Sequence, residues 1–239
     1  MNGMINIKVL ASSSKGNCYR VSDGVTPILL DAGLPIKKIK EGLKFKLHEI
    51  EACLITHSHG DHSKAVEDIM DVGIDCYMAK ETAEALDMER YELNIFPDLL
   101  DGINIGSWRV KWFDVHHDVP AVGFLLKSYK TKEKLLYLTD TYYTNYVFPG
   151  LNYILVECNH SYKILDENVA AGRLHPAQKK RLIQSHMALE NVKDMLKAND
   201  LSKVKEIYLI HLSDGNSNAE KFKREIQSLT GKPTYIAEE

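Results

Sequence analysis

Early in the chain, Thr56-His57-Ser58-His59-Gly60-Asp61-His62 places three imidazoles and a carboxylate within six positions. In extended backbone, residues two apart project to the same side, so His57 and His59 can converge on one cation while Asp61 and His62 face a second. Gly60 permits a sharp turn between them, and Asp61 is favoured near a helix N-terminus whether or not it binds metal. Four groups do not fill two coordination spheres, so further ligands must come from elsewhere. Candidates stand where strand-like sequence gives way to loop: His116-His117-Asp118 after residues 108–115, Asp140 after 135–139 and His211 after 206–210. Of the adjacent pair, either His116 or His117 can be the ligand, because their side chains point opposite ways in an extended segment. Such a donor set could hold two divalent cations.

Groups presented this way need a rigid frame. Residues 6–11, 18–21 and 28–31 read as short strands separated by Ser, Gly, Asn and Pro. Helical spacing follows at Ile36, Ile39 and Leu43, then a strand over 52–56 and a helix over 61–72, which sets the histidine-rich motif at a strand-to-helix junction. Strands are expected again over 74–78, 108–115, 122–129, 135–139 and 153–158. Helices over 188–197 and 219–228 bracket a strand over 206–210, and a last strand lies near Tyr235. Recurring strand groups with helices between them fit an α/β fold of two sheets packed face to face and covered outside by helices, with residues 1–239 as one domain.

At 239 residues, 44% of them hydrophobic and 26% charged, the chain can bury a substantial core. It has no uninterrupted apolar run of about 18 residues and no basic segment followed by an apolar one at its start, so a cytoplasmic protein without a membrane partner is expected. Cys18, Cys53, Cys76 and Cys158 show no C-x-x-C spacing and read as buried free thiols. A formal charge of −3 gives no general basic field for nucleic acid, although two divalent cations would concentrate positive charge at one place. Two local basic stretches, Lys37, Lys38, Lys40, Lys44 and Lys46, then Arg173, Lys179, Lys180 and Arg181, read most simply as solvated helix faces.

In order and over nearly the whole chain, Asp31, the cluster from His57 to His62, His117, Asp140 and His211 resemble the metal motifs of the metallo-β-lactamase superfamily. Ser12-Ser13-Ser14-Lys15-Gly16-Asn17, Leu30-Asp31-Ala32-Gly33, His117-Asp118, Glu157-Cys158-Asn159-His160 and Ser185-His186 are most similar to its WalJ (YycJ) group of exonucleases. The resemblance implies a four-layer αββα sandwich and two metal ions. One would be held by His57, His59 and His117 and the other by Asp61, His62 and His211, with Asp140 bridging and Asp31 and Asp118 standing behind the ligands. A donor set of nitrogen and oxygen without thiolate suits zinc, with manganese as the alternative.

The same resemblance implies phosphodiester hydrolysis, with nucleic acid, above all DNA, as substrate. Asp61 and His186 would take part in the reaction itself, His186 as proton donor to the leaving group. Asn159 and His160 are candidates for substrate contact, within a stretch from 159 to 190 that could form a basic lid. Tyr142, Tyr143 and Tyr146 either stack on bases or wall the cleft. The rival readings are hydrolysis of a small phosphodiester, cyclic nucleotide, thioester or lactone on the same metal pair, and a metal-loaded binding module without turnover.

Overall fold

The computed structural model describes residues 4–97 and 102–237. The chain gathers into two compact units, one built from Met1–Asp114 and Val119–Glu133, the other from Val115–Asp118 and Lys134–Ala237.

The first unit carries β1 (Asn6–Ser13), β2 (Gly16–Ser22), β3 (Pro27–Leu30), β4 (Ala52–Leu54), β5 (Asp75–Met78) and β6 (Leu93–Ile95) as a six-stranded sheet in that order. A tight turn makes β1 and β2 antiparallel, and β2 meets β3 the same way. From β3 onward the pairing is parallel, so each connection must cross over a sheet face. Helix α1 (Ile36–Gly42) makes the first crossing, α2 (Gly60–Ser63) and α3 (Val66–Met70) the second, and α4 (Lys80–Ala85) the third. Strand β4, in mid-sheet, is buried throughout, as an all-apolar parallel strand should be. Cys53 of this strand shares a buried cluster with Ile39, Leu43, Ile69 and Met70 and with Cys18 and Cys76. All four cysteines are buried free thiols. The unit is completed by an antiparallel run of β7 (Ile103–Ile105), β8 (Trp108–Asp114) and β9 (Val122–Ser128). Trp108 there is fully buried and its indole N–H donates to the Thr26 carbonyl at 2.8 Å.

The second unit is built on parallel strands β10 (Lys134–Leu138), β11 (Tyr153–Glu157), β12 (Glu206–Ile210) and β13 (Thr234–Ile236). Three helices, α5 (Tyr162–Ala170), α6 (Pro176–Ser185) and α7 (Leu189–Ala198), separate β11 from β12, and α8 (Ala219–Thr230) separates β12 from β13. The runs KLLYL, YILVE and EIYLI are nearly all apolar and largely buried, as the strands of a parallel sheet are.

One expectation needs correction. The single helix expected over 61–72 is two short helices, because the Ala65 N–H leaves the helical ladder to donate to the Ala32 carbonyl at 2.9 Å. The stretch from 159 to 190, a candidate lid in the sequence, contains α5 and α6. The first is started by Ser161, whose hydroxyl accepts from the Ile164 N–H, and the second by His175 with Pro176 in the first turn.

Gly33 fixes how α2 sits on the sheet. Its N–H donates to the Asn17 carbonyl at 2.9 Å, and a Cβ there would stand 1.6 Å from the Asp61 carbonyl oxygen. We expect Gly33→Ala to lower stability by about 3 kcal/mol or more, the upper end of overpacking costs, because the obstacle is backbone. Urea denaturation checks this, and an unchanged midpoint would contradict the packing described.

Candidate functional site

In the first unit the candidate ligands hang from one buried carboxylate. Asp31 follows β3 in a left-handed conformation, φ 59°, with its N–H donating to the Leu54 carbonyl at 2.8 Å. The side chain is fully buried and accepts from the Thr56 N–H at 2.8 Å, the Thr56 hydroxyl at 3.0 Å and His62 Nδ1 at 2.7 Å. A carboxylate offers no hydrogen, so His62 must carry its proton on Nδ1, leaving Nε2 as the lone-pair nitrogen. The hydroxyl of Thr56 spends its one hydrogen on Asp31 and therefore accepts from His57 Nδ1, 3.0 Å away. His57 is held in the same tautomer. The rings of His57 and His59 lie 4.8 Å apart and those of His57 and His62 4.3 Å, with Asp61 Oδ2 at 3.6 Å from His62 Nε2. Asn17 borders the cluster, its Nδ2 3.0 Å from His62 Nε2.

The second unit repeats the device around Glu157, at the end of β11 and fully buried. One carboxylate oxygen accepts from His186 Nδ1 at 2.7 Å and His211 Nδ1 at 2.9 Å, while the other accepts from the Met187 N–H at 3.0 Å. Asp140 follows β10 with φ 48°, and its Oδ1 lies 3.3 Å from His186 Nδ1 and 3.4 Å from His211 Nδ1. Ligating atoms of Asp140, Glu157, His186 and His211 all fall within 4.8 Å of one another. His117 donates from Nδ1 to the Ser185 carbonyl at 2.9 Å, and its Nε2 is 4.0 Å from Asp140 and 3.1 Å from Asp118.

Charges follow from these contacts. Burial lowers the pKa of His186, but the Glu157 charge, then hydrogen bonds to Asp140 and Glu157, outweigh it and raise the value to about 9. Burial alone would raise Glu157, yet the neighbouring imidazoles bring it below the usual carboxylate range. His117 is lowered, burial exceeding the pull of Asp140 and Asp118.

The donor set fits divalent metal. A metal-binding histidine ordinarily gives its second ring N–H to a carboxylate or carbonyl, which fixes the ring and the tautomer. His62, His117 and His211 donate from Nδ1 in that way, and His57 does so to a hydroxyl backed by Asp31.

The adjacent histidines part company: His117 has a buried side chain beside Asp140, whereas His116 is exposed and stacks on Tyr142 with ring centroids 5.4 Å apart. Asp118 touches both His117 and Arg181. Asn159 is buried and its Nδ2 donates to the His211 carbonyl at 3.0 Å, so it props a candidate ligand from behind. His160 is buried as well, its rings meeting those of Tyr162, and burial lowers its pKa to about 4. Tyr142, Tyr143 and Tyr146 are 40%, 40% and 47% exposed. Glu157 had been read only as part of a sequence motif and given no role. A lone acid ending an apolar strand was its one signal. Among the described residues no helix is long and apolar enough to cross a membrane.

Known proteins bear on this arrangement. Residues 26–212 match the family model described as the β-lactamase superfamily domain. The chain is 30% identical over 226 residues to exodeoxyribonuclease WalJ of Streptococcus pneumoniae, covering 87% of this chain and 82% of that one. With exodeoxyribonuclease YycJ of Bacillus anthracis the identity is 28% over 232 residues, covering 90% and 85%. Among solved structures, the metallo-β-lactamase fold protein YhfI from Bacillus subtilis superposes with a TM-score of 0.75 at 13% identity, covering 98% of this chain and 96% of that one. The fold is thus the metallo-β-lactamase fold expected from the sequence, and the chain belongs to the β-lactamase superfamily as a metal-dependent hydrolase.

Proposed function

We propose that this protein is a DNA exonuclease working by metal-dependent phosphodiester hydrolysis, with His57, His59, Asp61, His62, His117, Asp140 and His211 as ligands of two ions, zinc in the resident form. Manganese is the other metal suited to this donor set. The observation that carries the reading is the repeated Nδ1 anchoring, which makes Nε2 the nitrogen that His57, His62, His117 and His211 can each offer a cation. Bound by these groups, two divalent ions would supply Lewis-acid polarisation of a phosphoryl oxygen and a water acidified toward neutrality.

The chain's own residues do the rest. Asp31 and Glu157 keep the imidazoles oriented, and Asp140 contributes a carboxylate able to span both ions. His186 is held protonated by Glu157 and Asp140, so it can give its Nε2 proton to the departing alkoxide oxygen, a service worth ~10²–10⁴-fold in rate. Asn159 and His160 are buried, so in place of the substrate contact expected of them they back the candidate ligands, Asn159 behind His211 and His160 near Glu157. The DNA substrate is supported by the names of the WalJ and YycJ relatives. The test is incubation of metal-loaded protein with end-labelled single- and double-stranded DNA, RNA and a chromogenic phosphodiester. Release of mononucleotides from DNA supports the reading, and turnover of the small ester alone contradicts it.

Asp140→Ala should lower bound metal and abolish hydrolysis, since close cations would lose the carboxylate between them. Two ions per chain with near-normal turnover would refute the bridging role. His117→Ala should lose more metal than His116→Ala by elemental analysis, and equal loss would count against the choice. His186→Ala should keep its metal and its fold but lose ~10²-fold or more on DNA. That loss should shrink on a nitrophenyl ester, whose leaving group departs without a proton, and an equal loss on both substrates removes His186 from proton delivery.

A further inference from the structure

Resting on the nuclease reading, we propose that the loop after α1, together with Lys8 and Arg20, docks a single nucleic-acid strand outside the metal-binding residues. A base would stack on Phe45 while the surrounding cations track the phosphates.

The first basic stretch is more than a solvated helix face. Lys8 on β1 and Arg20 on β2 meet Lys44 and Lys46 from the loop, and two adjoining grooves of about 380 and 230 Å³ share Lys8 and Lys44 in their walls. Lys38 lines the larger groove and Arg20 and Lys46 the smaller, so five cations face only two anions, Glu41 and Glu49. Glu49 is engaged by Lys46 at 2.7 Å, and Lys8 Nζ donates to the Gly42 carbonyl at 2.6 Å. The surplus is positive, and the sheet supplies part of it through Lys8 and Arg20.

Between Lys44 and Lys46 stands Phe45, 72% exposed, and both Lys44 and Phe45 adopt left-handed backbone, φ 53° and 60°. Two successive non-glycine residues there are strained, and the outcome is an aromatic ring held out in water and flanked in sequence by two lysines. Aromatic rings interleaved with cations are what single strands bind, since every base has a face to stack and every link a phosphate.

An acidic membrane would also attract cations, but insertion needs an apolar face. Here α1 has already spent its own, with Ile39 and Leu43 in the core and Ile36 packed against it. The patch is also continuous with the histidine motif. Leu34 lines the larger groove, its neighbour Gly33 packs on Asp61, and the Ala32 N–H donates to the His62 carbonyl at 2.8 Å.

Fluorescence anisotropy of the full protein with a short phosphorothioate-linked oligothymidylate, across a salt series, tests this. Phe45→Gly is the informative variant because glycine relaxes the left-handed backbone, so lost binding cannot be blamed on unfolding. It should weaken single-strand binding ~5-fold or more and leave duplex binding less affected. Lys44→Ala with Lys46→Ala should flatten the slope of log K against log salt by about 1.4, two contacts at about 0.7 each. Undiminished binding by both variants overturns the proposal, as does equal weakening of duplex and single strand by Phe45→Gly. Capture by phosphatidylserine vesicles that these substitutions abolish, with oligonucleotide binding intact, also overturns it in favour of a lipid surface. Failure of the nuclease reading looks different: the unsubstituted protein hydrolyses no DNA, whatever its binding.

Discussion

A carboxylate removed from water persists as an anion only where hydrogen bonds replace its hydration, and two such groups, Asp31 and Glu157, orient the histidines of their respective units. Asp31 is satisfied by one backbone N–H, one hydroxyl and one imidazole, and Glu157 by two imidazoles and backbone N–H groups. Each arrangement satisfies a buried charge and at the same time assigns tautomers. Because the acceptor cannot donate, the proton sits on Nδ1, so His62 and His211 can offer Nε2 to a cation, whereas His186, held protonated, keeps a second proton on Nε2. Loss of either carboxylate would remove the hydrogen bonds that align these rings.

Placing these groups costs backbone strain. Asp31, Asp140 and His211 have left-handed φ angles of 59°, 48° and 52°, each just beyond the end of a strand. Such conformations cost of order 1–3 kcal/mol apiece and persist only when the surroundings overdetermine them. Glycine would relieve the strain and forfeit the ligand. The parallel strands β3, β10 and β12, apolar and buried, supply the rigidity that makes the compromise possible.

Most of this frame was legible because apolar runs and strand-end polar residues carry their own signals. The ligand candidates His57, His59, Asp61 and His62 stand in one motif, and Asp140 and His211 follow runs such as LLYL and EIYLI that can only be buried strands. Helix α6 escaped notice because PAQKKRLIQS has almost no apolar stripe and lies largely exposed. Helices that bury little leave little periodicity. The role of Glu157 was hidden for the opposite reason: its partners are distant in sequence, His186 and His211, and only the fold brings a strand-end acid between them. The pairing of the Lys44–Lys46 segment with Lys8 and Arg20 likewise depends on neighbouring strands and no local spacing reveals it.

The central claim is that buried hydrogen bonds dictate which nitrogen of each histidine meets metal. Anomalous diffraction from zinc-loaded crystals tests it most directly by locating the ions relative to each ring. The account requires two peaks, with Nε2 of His57, His62, His117 and His211 as the ligating atoms and Nδ1 still bonded to Thr56, Asp31, the Ser185 carbonyl and Glu157. Ligation through Nδ1 at these residues, or ions bound elsewhere on the chain, would contradict it.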